Sequence, residues 1–332
     1  MVSKNYLISV CIPVYDTESY LEKCLQSVME QDFADFEIVV VSDASRGKDE
    51  KGRSAKKLIH IAQKINKKIP IKFIEHKENH GILETRRTLC HEAQGEYICF
   101  VDSDDELEAG ALSSIVSLSG LTRQSYDVIQ AKSTSGFYDE NGTFIPLSKN
   151  RFEINSEGEL HGNQIFHEWV TDNKITGILW SKLIKRELLL RAFENIPYSE
   201  CNLAEDYLIS FFLYQYAASY IGIDYKAYRY RISSGVSSIR KIDSLKKWEM
   251  ICTTSSVFTI IALWLKDNPE SAITNEEKDC IKRKTSAYLE NNLKQMKETV
   301  IPELQEEAYK MLCEYWGEPF VQKVNSLLQK TN

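Results

Sequence analysis

The sequence predicts an α/β fold: a mainly parallel, doubly wound sheet flanked by helices, followed by an all-helical appendage. Three observations predict it. Four strand-length apolar runs fall within the first 101 residues, and helical patterns separate them. Alternating strands and helices close into a parallel sheet through right-handed crossovers. From Ile242 onward, no β-rich run occurs and apolar residues such as Leu289, Leu293 and Met296 recur at helical spacing.

Residues 7–14 are β-rich and almost wholly apolar, the pattern of a central strand buried on both faces. Pro13 ends that run and Thr17 is placed to cap a helix. Tyr20, Leu21, Cys24, Leu25 and Val28 then recur at helical spacing. A second buried strand is expected over 37–41, a basic-faced helix over 51–67 and a third strand over 69–75. A helix over 81–93 leads to a fourth strand over 97–101, which runs straight into Asp102-Ser103-Asp104-Asp105. The alternation changes after about residue 125. Residues 126–131 read as a strand and 137–145 as a hairpin, because Asn141-Gly142 tolerates positive φ. Asn141-Gly142-Thr143 also has the form of a glycosylation sequon, but no secretion signal accompanies it and the turn is the better reading. Helices are expected around 164–170, 180–192 and 204–216. Breaks are expected at Lys266-Asp267-Asn268-Pro269 and over 299–302. The expected division is an α/β part over 1–240 and a helical region over 241–332.

A chain of 332 residues can bury a full core. Its formal charge of -7 argues against a nucleic-acid partner, which demands a basic face. A nucleotide stays open, since one bridging cation and one Arg can hold a diphosphate. The eight Cys are scattered, form no C-x-x-C pair and sit mostly in apolar runs, so they read as small buried residues in a reducing compartment. The first five residues are polar and resemble no leader. The most hydrophobic later run, 257–265, is far shorter than the roughly 20 residues that cross a bilayer. The expectation is a cytoplasmic chain without a transmembrane segment. Contact with the cytoplasmic face of a membrane, and oligomerisation through the C-terminal helices, stay open.

In an open parallel sheet, ligands bind at the carboxyl ends of the strands. Polar residues just past those ends should therefore converge: Tyr15 and Asp16, then Asp43, then residues 76–80, then Asp102, Asp104 and Asp105. Three carboxylates in four residues repel one another unless a cation neutralises them. All-oxygen donors suit Mg²⁺ or Mn²⁺, usually with phosphate oxygens completing the shell. A solvated acidic loop is the plainer alternative. The position directly after a buried strand favours the metal. No Walker A loop, G-x-G-x-x-G, H-E-x-x-H or G-x-S-x-G competes, and the six His have no metal-ligand spacing.

These residues resemble a known family. Val10-Cys11-Ile12-Pro13-Val14-Tyr15, then the run from Glu37 to Ser45 with its D-x-S loop, then Asn79-His80-Gly81 with Thr85-Arg86-Arg87, then Gly95-Glu96-Tyr97 through Asp105 follow the order of the family 2 inverting glycosyltransferases with the GT-A fold. Trp180-Ser181-Lys182-Leu183, Ala204-Glu205-Asp206-Tyr207, and Tyr228-Arg229-Tyr230-Arg231 with Ser237-Ser238 match more loosely. The resemblance covers about residues 6–240. Asp16, Thr85, Arg87 and Ser181 depart from the commonest pattern, and the closing segment lacks a His that some relatives place near the metal.

The resemblance implies a GT-A catalytic domain over 1–240, with a nucleotide-sugar-binding part over 6–125 and an acceptor-side part over 126–240. It implies sugar transfer from a nucleotide diphosphate, expected to be UDP, to a hydroxyl of a glycan or lipid-linked acceptor, with inversion and with Mn²⁺ or Mg²⁺. Asp104 is the expected metal ligand, and Asp102 meets the metal or the ribose. Pro13, Tyr15, Asp43, Arg86 and Ser103 belong with the donor. Asp206 is the expected base, with Glu205 as fallback, although acids at a helix start also suit the helix dipole without any function. Trp180 and Lys182 are expected on the acceptor side, with plain core an equal reading for Trp180. A sugar-phosphate nucleotidyltransferase is the enzyme alternative, but residues 11–18 lack the Gly and Arg of its phosphate loop. An inactive scaffold that binds a partner is the other.

Overall fold

The computed structural model describes residues 6–148, 157–171, 174–199, 201–232 and 241–331. Along the first hundred residues the elements are β1 (Ile8–Val14), α1 (Glu18–Met29), β2 (Phe36–Ser42), α2 (Ala55–Ile65), β3 (Ile71–Glu75), α3 (Ile82–Glu92) and β4 (Tyr97–Phe100). The four strands are parallel in the order β3-β2-β1-β4. α2 starts later than expected, at Ala55, where the Ser54 hydroxyl accepts from the Lys57 N–H.

Next come β5 (Glu106–Leu107), α4 (Ala111–Leu118), β6 (Val128–Tyr138), β7 (Phe144–Pro146), β8 (Gly158–His161), α5 (Asn163–Val170), β9 (Lys182–Lys185), α6 (Arg186–Glu194), α7 (Glu205–Tyr216) and β10 (Ser219–Arg231). They extend the sheet as β4-β9-β6-β10-β5. β9 runs antiparallel to β4 and β6, while β10 is parallel to β6, so this half is mixed. The expected hairpin is the β6–β7 pair, turned where the Gly142 N–H donates to the Asp139 carbonyl. Besides the unanticipated β5, α4 and β8, two features differ from the sequence reading in ways that shape the sheet. Residues 182–185 form a strand instead of the start of a helix, because Lys-Leu-Ile-Lys fills the gap between two strands. The longest strand, β10, was not expected at all, since its Tyr, Lys and Arg side chains hide the apolar signal.

Period-two alternation distributes the strand residues between two cores. Cys11, Val39, Val41, Ile98 and Phe100 pack on one face of the sheet. Val10, Ile12, Ile38, Val40, Tyr97 and Cys99 pack on the other. One buried polar cluster interrupts the first face. Ser9 Oγ donates to Glu37 Oε1 (2.7 Å), which also accepts from the Gln94 N–H (2.6 Å), and Ser9 Oγ accepts from the Gly95 N–H (2.8 Å). A Cβ at Gly95 would lie 2.4 Å from the Ser9 nitrogen, so only glycine permits this approach.

The C-terminal helices are α8 (Leu245–Cys252), α9 (Thr254–Asp267), α10 (Asn275–Thr299), α11 (Gln305–Trp316) and α12 (Glu318–Thr331). Trp248, Leu289, Leu293, Leu312 and Val321 form a third core. Val257, Phe258, Ile261 and Ile281 instead join the first core beside α7. Residues 245–267 are long and apolar enough to cross a membrane by length and mean hydropathy. Trp248, Ile251, Val257 and Phe258 within that stretch are buried against other helices, as in any core helix. Cys11, Cys24, Cys90, Cys99, Cys201 and Cys252 are buried thiols.

Candidate active site

β1 outruns β4. The β1–β4 pairing ends at Cys11 and Phe100, while β1 pairs with β2 as far as Val14. Pro13 stands past the end of β4, so its missing N–H leaves no ladder bond unmade there. At such a step, on the carboxyl side of an open sheet, a ligand crevice is expected.

Burial alternates along the acidic loop. Asp102 and Asp104 are half-buried, whereas Ser103 and Asp105 are buried. The inward pair is bound to the scaffold. Ser103 Oγ lies 2.6 Å from Thr17 Oγ1, so Thr17 ties the loop to the start of α1 instead of capping that helix with its side chain. Asp105 accepts from the Tyr228 hydroxyl (2.8 Å) and the Arg231 N–H (2.7 Å), and burial raises its pKa well above the ordinary value. The Tyr228 hydroxyl also accepts from the Asp102 N–H (3.0 Å), and Arg231 Nε donates to the Asp104 carbonyl (3.0 Å). Tyr228 and Arg231 thus fix the loop's backbone.

Arg86, from α3, is 4% exposed and joins the two acidic segments. Its Nη2 donates to Asp102 Oδ1 (3.2 Å), and its Nη1 lies 3.0 Å from Glu205 Oε1, close enough for an ion pair but without hydrogen-bond geometry. Its Nε has no partner among the described residues. Burial pushes the guanidinium pKa down, but the Glu205, Asp102 and Asp206 carboxylates outweigh it and the net direction is up. Burial raises the pKa of both acids at the head of α7, that of Glu205 to about 7, with Arg86 opposing. Asp206 accepts from the Tyr207 N–H (2.7 Å) and lines a cleft described below.

On the other side of the crevice, Asp43 is 2% exposed and turned to its own loops. It meets His76 Nδ1 at 2.7 Å and accepts from the His80 N–H (3.0 Å) and the Gly81 N–H (2.9 Å). Gly81, at φ +85°, adopts a conformation that favours glycine, and α3 begins just after it. Tyr15 is 46% exposed, so its ring face is open to a flat ligand. Asp16 Oδ1 accepts from the Arg46 N–H (3.1 Å) and the Gly47 N–H (2.9 Å), locking the loops after β1 and β2 together.

Trp180 and Lys182 lie inside. Trp180 is 5% exposed and stacks on Tyr228 and Tyr230, with centroids 4.6 and 5.5 Å away. Lys182 is fully buried; its Nζ donates to the Thr176 carbonyl (2.9 Å), Thr176 Oγ1 (3.0 Å) and the Ile178 carbonyl. With three neutral acceptors, burial lowers the pKa of Lys182 to about 7. Trp180 supports Tyr228, and Lys182 shapes the segment below Asp206; neither offers an open face. Ser237 and Ser238 lie outside the described residues. The sequence reading matched Tyr228 and Arg231 to a motif but gave them no role, since their partners are more than a hundred residues away.

All four non-glycine residues at positive φ among the described residues adjoin this machinery. Asp16 follows Tyr15, Ala44 follows Asp43, Ser181 separates Trp180 from Lys182, and Ala204 precedes Glu205. Each costs about 1–2 kcal/mol, and such strain persists where surrounding contacts over-determine it.

The acidic loop fits a hard divalent cation. Its side-chain donors are carboxylate oxygens, and among the described residues no three His, Cys, Asp or Glu side chains enclose an ion by themselves. One or two carboxylates completed by phosphate oxygens is the donor set that Mg²⁺ prefers.

The model of the family described as "Glycosyl transferase family 2" matches residues 9–178. Glycosyltransferase GlyA of Streptococcus pneumoniae is 28% identical over 69% of this chain and 31% of its own length. The chain spans between 31% and 60% of the length of the first curated relatives it matches. Residues 1–349 of S. aureus TarS, solved in complex with UDP-GlcNAc, superpose with a TM-score of 0.54 at 20% identity, covering 98% of this chain and 92% of that one. The mannosyltransferase PcManGT of Pyrobaculum calidifontis, solved with GDP-Man and Mn²⁺, superposes at 0.51 with 14% identity, covering 97% and 84%.

Proposed function

The chain belongs to glycosyl transferase family 2, and we propose that it moves a sugar from a nucleotide diphosphate, UDP before others, to an acceptor hydroxyl with inversion. One observation carries this reading. Arg86 spans from Asp102 to Glu205, so the acidic loop after β4 and the acidic head of α7 meet across the end of the sheet.

Asp102 and Asp104 would hold Mn²⁺ or Mg²⁺, which would offset the charge gained by the leaving diphosphate. Arg86, bound to Asp102, would hold that carboxylate in position beside the cation. Tyr15 covers the base, and Asp43 either reads a base N–H or holds the His80–Gly81 backbone that does. Asp206 takes the acceptor proton. It lines a cleft, while Glu205 is engaged with Arg86. Residues 1–240 would form the catalytic part, and 241–332 the region that completes the acceptor side.

The UDP preference draws on the TarS complex, although PcManGT carries GDP-Man. Calorimetry with UDP, GDP and CDP in Mn²⁺ tests it, and equal or reversed affinities would reject UDP. Full turnover in excess EDTA would reject the metal. Absence of donor hydrolysis with every nucleotide sugar tried would favour an inert scaffold.

A further inference from the structure

Asp206 and Tyr207 line a cleft of about 560 Å³, a volume typical of small-ligand sites. The far wall is α10. Its residues there, including Cys280, Arg283, Lys284 and Tyr288, recur every three or four positions and so share one helix face. That face is held in place. His167 Nδ1 of α5 lies 3.1 Å from Glu277 Oε1, and the Tyr288 ring packs on Phe258 and Tyr207 with centroids 5.0 and 6.3 Å away.

Arg283 and Lys284 are exposed, and among the described residues neither pairs with a carboxylate. Arg283 donates to Cys280 Sγ (2.8 Å), and Lys284 sits 5.9 Å from the Tyr288 ring centre. Neighbouring Lys282, by contrast, is paired with Asp279 at 2.9 Å. The cleft therefore carries a carboxylate on one wall and, on the other, two adjacent cations without an ion pair among the described residues, Arg283 sensing only the field of Asp279, in a chain whose net charge is -7. A neutral glycan could accept their hydrogen bonds but would leave both charges unanswered, whereas an anion meets the charge as well. A ligand with a hydroxyl at one point and an anion at another matches both walls.

We propose that α10 reads a phosphate on the acceptor: Arg283 and Lys284 bind it while the reacting hydroxyl lies at Asp206. This rests on the reading of Asp206 as the acceptor's base. It gives the C-terminal helices a part in substrate choice.

The full-length protein is titrated by calorimetry with oligo(glycerol phosphate), with farnesyl diphosphate and with neutral maltotriose. UDP binding in Mn²⁺ and UDP-sugar hydrolysis are measured in parallel. At least one phosphate probe should bind more tightly than maltotriose. R283Q/K284Q should weaken that probe on the order of tenfold or more and leave UDP binding unchanged. Which probe binds separates a polymeric from a lipid-borne phosphate. Binding of maltotriose as tight as the phosphate probes, no binding of either phosphate probe, or an unaltered R283Q/K284Q overturns the proposal. Loss of UDP binding and donor hydrolysis in the unaltered protein would instead sink the glycosyltransferase reading.

Discussion

Glu205 and Asp206 are neighbours in sequence with different surroundings, and the difference sets their expected behaviour on substitution. Asp206→Asn keeps the shape but cannot accept a proton at neutral pH. Turnover should fall about 10²–10⁴-fold, with UDP binding unchanged by calorimetry. Asp104→Asn should weaken Mn²⁺-dependent UDP binding as well as turnover. Near-normal turnover of Asp206→Asn would move the base to Glu205. Glu205 also predicts a pH effect. Burial raises its folded-state pKa from 4.5 to about 7. The fold therefore holds a proton that the unfolded chain releases, and this contribution is present in full below the ordinary carboxylate value and lost as pH rises through about 7. The Tm should decline over that window, less steeply in Glu205→Gln. A wild-type Tm that rises there, or a variant with the same slope, would exclude the mechanism. At this scale the sequence was partly legible. Asp102 and Asp104 stand out because a buried strand leads into them. Tyr228 and Arg231 do not, because nothing local shows that a Tyr on a distant strand holds the Asp102 N–H.

Elements built from unbroken apolar runs were readable, and those built from mixed residues were not. β1 and β2 are buried along their whole length and consist mostly of Val and Ile, so few other conformations would satisfy them. β9 carries Lys at both ends, and one of those is fully buried only because three neutral oxygens receive its ammonium. No propensity scale anticipates that. The Ser9–Glu37–Gly95 contact gives a test at this level. Gly95→Ala would drive a methyl into the Ser9 backbone, where neither strand can yield without breaking the β1–β4 ladder. A loss of about 1–3 kcal/mol is expected on overpacking, read as a lower urea midpoint with an unchanged slope. An unaffected midpoint would mean that the Gly95 loop adapts.

The division expected at residue 240 does not follow the core. Val257, Phe258 and Ile261 of α9 lie in the same apolar cluster as Tyr207, Phe211 and Phe212 of α7. A chain truncated at Asp243 should therefore expose a large aromatic surface and aggregate on expression, or lose cooperative thermal unfolding. A truncated form that stayed monomeric with the wild-type Tm would show instead that the helices are an independent appendage.

The path of the sheet also has a kinetic meaning. β5, next to the acidic loop, pairs among the described residues only with β10, more than a hundred residues later, and β10 must also dock beside β6. During synthesis β1 to β4 can assemble early, but Asp105 waits for Tyr228 and Arg231 to emerge. Pairings this remote in sequence form slowly, because the intervening loop must first be closed. The acidic loop is thus the last part of the crevice to be set. In pulse-labelled hydrogen exchange on refolding, the amides of Asp102 and Arg231 should gain protection together, and later than those of β1 and β2.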